Sequence, residues 1–119
     1  MMLRRFAPFV LSVLLIGEAF AHTLLKSSTP AANGGVDGAL EEVVLEFNDP
    51  VRLTLVNLMD DDGARHALGA IPTATQARFV LELRDKLRAG AYVIEWRAVG
   101  ADTHIVSGEI PFEVKAAAH

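Results

Sequence analysis

The chain of 119 residues contains no cysteine. Disulfides, thiolate metal ligands and thiol nucleophiles are therefore excluded, and a domain of this size has to fold on its hydrophobic core alone. Methionine is also scarce, because two of the three methionines open the chain and only Met59 lies within its body. A Cu(I) site built from several methionine thioethers is not expected from a single such residue.

Basic charge is scarce as well. Eleven lysines and arginines stand against fifteen acidic residues, which gives a formal net charge of −4. Nucleic-acid-binding domains carry a clustered basic face, so neither nucleic acid nor an anionic membrane is an expected partner. The serines lack a nucleophile-elbow context, and no glycine-rich phosphate loop follows a strand pattern. We therefore do not expect an enzyme.

One long hydrophobic run stands at the N-terminus. Met1 to Arg5 carries two positive charges, Phe6 to Gly17 is apolar, and Ala19-Phe20-Ala21 has the small-x-small pattern of a signal-peptidase site. The run is shorter than the ~20 residues that cross a bilayer core. We expect residues 1–21 to be a cleaved signal peptide and residues 22–119 to form one domain in the periplasm or a similar exported space. A retained membrane-anchored segment is the alternative.

Short alternating segments separated by turn residues fill the rest of the chain and predict an all-β sandwich of about seven strands. Alternation is clearest at 92–99 and 109–114, and it is also present at 43–47, 53–58 and 79–83. The predicted turns are Asn33-Gly34-Gly35, Asn48-Asp49-Pro50, Asp61-Asp62-Gly63, Arg88-Ala89-Gly90 and Val99-Gly100-Ala101. Residues 84–89 are compatible with one helical turn, and residues 68–77 give no clear pattern.

Two elements of the sequence could bind a metal ion together. Cleavage before His22 would leave an α-amine and an imidazole Nδ1 on one residue, which together close a compact chelate ring. Asp102 and His104 are two residues apart in the connection between the two clearest strands, so both side chains would share one face at an end of the sandwich. Nitrogen and carboxylate donors suit tetragonal Cu(II), while Zn(II) and Ni(II) remain chemically possible. Asp-x-His spacing is also common on protein surfaces without any metal.

Three segments of the chain resemble the CopC family of periplasmic copper-resistance proteins. His22 to Ala31 resembles the mature N-terminus of that family, with histidine first and a Ser-x-Pro-Ala turn after it. Leu45 to Val51 resembles its Leu-x-Phe-[Ser/Asn]-[Glu/Asp]-Pro-Val strand and turn. Tyr92 to Phe112 resembles its Tyr-x-Val-x-Trp strand, Asp-x-His ligand loop and closing Gly-x-x-x-Phe strand.

The resemblance implies an immunoglobulin-like, Greek-key β-sandwich that binds one Cu(II) per chain through His22, Asp102 and His104. Many members also have a methionine-rich Cu(I) site, from which this sequence departs because it offers only Met59. The expected protein is a monomeric Cu(II) binder for copper resistance or homeostasis. It would buffer exported copper or deliver it to a partner such as an inner-membrane copper-transport protein.

The sequence also predicts the places of several other residues. Asp49 matches the acidic position of the family turn, so it either accepts a hydrogen bond from a ligand imidazole or is a plain turn residue. Trp96 is expected in the core, His66 in a solvated turn, His119 at the terminus, and Asp60-Asp61-Asp62 in a hairpin turn rather than a calcium loop.

Two other functions stay open beside copper binding. One is a metal-free interaction sandwich in which Asp102 and His104 merely decorate a loop. The other is a histidine-brace copper oxidase or monooxygenase, a class whose N-terminal histidine and second histidine resemble this set. Asp102 argues against that enzyme, because it would fill an equatorial position that oxygen chemistry needs open.

The signal-peptide hypothesis makes a direct prediction about the exported chain. The exported protein should begin at His22, because signal peptidase cuts after the small-x-small tripeptide. Intact-mass measurement or Edman sequencing of protein from the exported fraction checks this. A species that still carries Phe20-Ala21 would contradict it.

Overall fold

The computed structural model describes residues 24–116, so the predicted signal peptide, His22 and His119 lie outside the described residues. Its regular elements are seven strands: β1 (Leu25–Thr29), β2 (Gly34–Val36), β3 (Glu42–Asp60), β4 (Arg65–His66), β5 (Gln76–Glu82), β6 (Gly90–Val99) and β7 (Ile105–Val114). Within this described part, no helix has the length and apolar character needed to span a membrane. The all-β sandwich of about seven strands predicted from the sequence is confirmed.

Strand β3 belongs to both layers of the sandwich. Its first half pairs with β1 and β5 to form the smaller sheet. Its second half, from Arg52 onward, pairs with β4 and β6 in the larger sheet, which continues through β7 to β2. One continuous strand therefore links the two sheets.

The turn predicted at Asn48-Asp49-Pro50 is wrong, because β3 continues through these residues. They are exposed and lie where the β3–β5 register shifts, between Glu46 and Val51. Proline has no amide hydrogen to donate to a ladder, so an interruption in strand pairing tolerates Pro50. The sequence signal marks the crossing from one sheet to the other rather than the end of a strand.

Strands β6 and β7 form an antiparallel hairpin whose register runs unshifted from Gly90↔Val114 to Val99↔Ile105. Alternate residues of both strands face the core, as the sequence predicts, because successive side chains of a strand point to opposite faces. The buried members are Tyr92, Ile94, Trp96, Ala98, Ile110, Phe112 and Val114. Trp96 packs edge-to-face on Phe47 with ring centroids 5.3 Å apart, which confirms its expected place in the core.

The second half of β3 departs from the alternation predicted for it. Leu53 is buried, but the register with β6 shifts between Leu53 and Leu55 and leaves Thr54 as an extra residue. Thr54 Oγ1 donates instead to the Arg97 carbonyl at 3.1 Å. Such a bulge inverts the faces that follow it. Leu58 is consequently fully buried and Asn57 faces outward beside Glu95.

The two segments whose sequence was ambiguous are connections. Residues 84–89 form no helical turn and are held by Leu87, whose side chain is buried in the core. The segment 68–77 is mostly irregular before β5 begins, and a single bridge joins Leu68 to Leu83.

Gly108 is predicted to be intolerant of any side chain. A Cβ there would lie 2.8 Å from Trp96 Cζ2 and 2.9 Å from Trp96 Nε1. Overpacking of this kind costs about 1–3 kcal/mol, so Gly108→Ala should lower the melting temperature. Ser107→Ala, at the exposed neighbouring position, is the matched control and should shift stability by less than about 0.5 kcal/mol. Equal melting temperatures for both variants would show that Trp96 does not pack against the β7 backbone.

Candidate metal centre

The Asp-x-His loop is the turn of the β6–β7 hairpin. The Thr103 amide donates to the Gly100 carbonyl at 2.9 Å, and the Gly100 amide donates to the His104 carbonyl at 3.0 Å. Both hydrogen bonds lie directly beyond the last register pair, Val99↔Ile105. A rigid hairpin therefore holds the loop at one end of the sandwich, where the sequence placed it.

Asp102 and His104 contact each other through two hydrogen bonds. Asp102 Oδ1 accepts from the His104 backbone amide at 3.1 Å, and Asp102 Oδ2 lies 2.8 Å from His104 Nδ1. Both side chains are exposed, Asp102 by 64% and His104 by 77%. In this arrangement Nδ1 faces the carboxylate and Nε2 is the ring nitrogen directed away from it.

Each member of this pair favours the charged form of the other. The hydrogen bond from His104 holds the pKa of Asp102 below its usual value of 3.8. The same contact, together with the negative charge of Asp102, raises the pKa of His104 above 6.5. Between pH 3.8 and pH 6.5, the ordinary pKa values of the two groups, both side chains are therefore charged in the folded protein. The contact contributes fully to stability in that pH range. That contribution is lost as the pH falls through the lowered pKa of Asp102, and as the pH rises through the raised pKa of His104.

A groove of about 590 Å³ lies beside the loop. Its lining includes Asp49 and Asp102, so the crossing of β3 and the β6–β7 turn meet at the same end of the sandwich. Leu24 lines it too. Since Leu24 is two residues from His22, at most about 7 Å can separate the Cα atoms of these two residues.

A second Asp–His pair, which the sequence did not predict, lies at the opposite end of the sandwich. Asp60 Oδ2 is 3.0 Å from His66 Nε2, and the His66 ring lies edge-to-face on Tyr92 with centroids 5.5 Å apart. The prediction of His66 as a solvated turn residue is therefore wrong, since it is half-buried in β4. The Asp61-Asp62-Gly63 signal could have indicated this pair, because a tight hairpin there sets the flanking residues on paired strands.

Asp60 closes this second hairpin. Its Oδ1 accepts from the backbone amides of Asp62 at 2.9 Å and Ala64 at 3.0 Å. Ligand atoms of Asp60, Asp61 and Asp62 lie within 4.8 Å of one another. Because Asp60 is already engaged on both oxygens, the cluster acts as a hairpin turn, in agreement with the sequence interpretation.

The chain matches the model of the CopC domain over residues 25–115. Copper resistance protein C of Escherichia coli is 34% identical over 115 residues, which cover 86% of this chain and 90% of that protein. The chain belongs to the CopC family. Copper transport protein CutJ of Bacillus subtilis is 31% identical over 86% of this chain, which spans only 20% of that longer protein.

Solved structures of the CopC family have the same fold. The crystal structure of CopC from Methylosinus trichosporium OB3b superposes with a TM-score of 0.69 at 24% identity, over 82% of this chain and 98% of that one. The crystal structure of PcoC, a methionine-rich copper resistance protein from Escherichia coli, superposes with a TM-score of 0.63 at 34% identity, over 77% and 97%. The resemblance found in the sequence motifs is thereby confirmed.

The Asp102–His104 contact predicts how one residue titrates in the metal-free protein. Asp102→Asn should move the His104 pKa down toward 6.5, because the carboxylate that stabilises the imidazolium is gone. NMR titration of the imidazole resonances measures this. Asp60→Asn removes the partner of His66 instead and should leave His104 unchanged. An unchanged His104 pKa in Asp102→Asn would contradict the contact.

Proposed function

We propose that this CopC-family protein is an exported Cu(II)-binding protein that buffers or delivers copper in copper resistance or homeostasis. The observation that carries the proposal is the contact of Asp102 with His104 on an exposed hairpin turn. Relatives named for copper resistance and copper transport support copper as the ion.

The donor set consists of His22, Asp102 and His104, and it would bind one ion per chain. In the mature chain His22 supplies its amine and Nδ1, while His104 supplies Nδ1, which lies 2.8 Å from Asp102 Oδ2, so that the ion would replace the proton between them. A carboxylate oxygen of Asp102 completes three nitrogens and one oxygen, a set that suits tetragonal Cu(II) at the top of the divalent affinity series. The exposed positions of Asp102 and His104 would let copper be received and released without opening the core.

Asp49 has a role beside this set in the proposal. It lines the groove that Leu24 and Asp102 also line. Because Leu24 lines the same groove and is two residues from His22, the ligand imidazole proposed for Asp49 to orient is that of His22. A hydrogen bond of this kind fixes ring orientation and tunes affinity without direct ligation.

The proposed function involves one oxidation state of copper. Among the residues that the structure describes, Met59 is the single methionine, and it lies opposite Val93 in the β3–β6 pairing of the larger sheet. The relative PcoC is described as methionine-rich, and this chain differs from it in that respect. We therefore propose a monomeric Cu(II) binder without a methionine-rich Cu(I) site. Its partner would be an inner-membrane copper-transport protein.

The function predicts a specific pattern of affinities. Protein that starts at His22 should bind one Cu(II), while His104→Ala and Asp102→Ala should each weaken binding at least about tenfold, since even the loss of a hydrogen-bond partner of a metal ligand costs that much. Competition against a chromophoric chelator, with Trp96 emission as a second signal, measures the dissociation constants.

Two controls separate the centre from adventitious binding. His66→Ala removes an imidazole at the other end of the sandwich and should leave the affinity unchanged. A form that retains Ala21 keeps Asp102 and His104 but has no amine at His22, and it should bind far more weakly. Equal affinities for the wild-type protein, His104→Ala and the Ala21-retaining form would overturn the proposal.

A further inference from the structure

We propose that Thr103 is a positioning residue whose left-handed backbone, rather than its side chain, holds Asp102 and His104 in the geometry that binds the ion. The part of this proposal that concerns copper affinity rests on the proposed Cu(II)-binding function. Its structural part is tested in metal-free protein.

Thr103 has a φ of +67°, in the left-handed region of backbone angles. Among the described non-glycine residues, Asn33 is the other one with a positive φ, at +63°. Asparagine is common at such angles, whereas a β-branched residue is an outlier there because its Cβ is crowded by its own backbone. The strained residue stands between the two ligands of the described loop.

The hairpin explains why residue 103 is left-handed. Gly100 is bonded through its carbonyl to the Thr103 amide and through its amide to the His104 carbonyl. This pattern is a β-turn followed by a bulge, in which the last loop residue is left-handed and is usually glycine. The unshifted β6–β7 register pairs Val99 with Ile105 and so places both ends of the loop where these hydrogen bonds can form.

The left-handed residue is also what brings the ligands together. In an extended segment, the Cα atoms of residues 102 and 104 would stand about 7 Å apart. With Thr103 left-handed, the His104 amide reaches Asp102 Oδ1 at 3.1 Å and its imidazole reaches Oδ2 at 2.8 Å. Thr103 itself is exposed, and its Oγ1 donates only to the neighbouring Asp102 carbonyl.

Copper affinity should therefore follow the backbone preference at position 103. Apparent affinity scales with the fraction of metal-free molecules already in the binding conformation. Glycine and asparagine accept a positive φ, valine keeps the β-branched shape without the hydroxyl, and proline locks φ near −65°. Thr103→Gly and Thr103→Asn should bind Cu(II) at least as tightly as the wild-type protein, and Thr103→Val should bind it equally well. Thr103→Pro should bind it at least about tenfold more weakly.

The experiment compares Thr103→Gly, Thr103→Asn, Thr103→Val and Thr103→Pro with the wild type, each processed to begin at His22. Melting temperatures are measured without metal, and Cu(II) affinity and EPR spectra are measured with metal alone. Thr103→Asn should melt higher by about 5 °C, and Thr103→Gly by less, because glycine loses more entropy on folding. Thr103→Pro should also change the Cu(II) spectrum while Trp96 emission stays native.

Asn33 provides the matched control, since its amide donates to the Pro111 carbonyl at the far end of β7. Asn33→Thr places the same strained residue away from the loop and should lower the melting temperature with no change in affinity.

Three outcomes would overturn the inference: no gain in melting temperature for either Thr103→Asn or Thr103→Gly, a tenfold loss of affinity in Thr103→Gly or Thr103→Val, or wild-type binding by folded Thr103→Pro. Should Thr103→Pro not fold, the other three variants still decide. A wild-type protein that binds no Cu(II) would refute the proposed function, while the melting temperatures would still report on the strain at Thr103.

Discussion

The antiparallel pairing of β6 with β7 is the constraint on which the core and the candidate metal centre both depend. Its unshifted register places Trp96, Ile94 and Ile110 on the inner face. The same register ends at Val99↔Ile105 and leaves five residues to close the turn. Because side chains alternate with period two, a slip by one residue would expose the core face and would also re-form the turn with different residues. Core packing thus selects the loop geometry.

The two ends of the sandwich carry similar Asp–His contacts with different consequences. At one end Asp60 is engaged by two backbone amides and His66, which lies half-buried on Tyr92, so that the contact closes a hairpin. At the other end Asp102 and His104 are both exposed beside the groove that Asp49 and Leu24 line. Exposure and the adjacent groove make the Asp102–His104 pair the better suited of the two to an exchangeable ion.

The sequence predicted those features that depend on local alternation or on a motif. The inner faces of β6 and β7 follow directly from period two. The spacing of Asp102 and His104 predicted an extended segment with both side chains on one face, whereas their contact depends on the left-handed Thr103. Continuity of β3 through Pro50 could not be predicted, because proline before an apolar run indicates a strand end equally well. The bulge at Thr54 depends on how β6 pairs with β3, and the positive φ of Thr103 on the closure of the hairpin. Both are tertiary effects that override the local preference of threonine for extended structure.

The proposed centre would bind one copper ion through imidazoles from both His22 and His104. Electron spin echo envelope modulation of Cu(II) on protein that begins at His22 tests this most directly, because it detects the remote nitrogen of each bound imidazole. We expect a two-imidazole signal in the wild-type protein and a one-imidazole signal in His104→Ala. A one-imidazole signal that does not change in His104→Ala would contradict it.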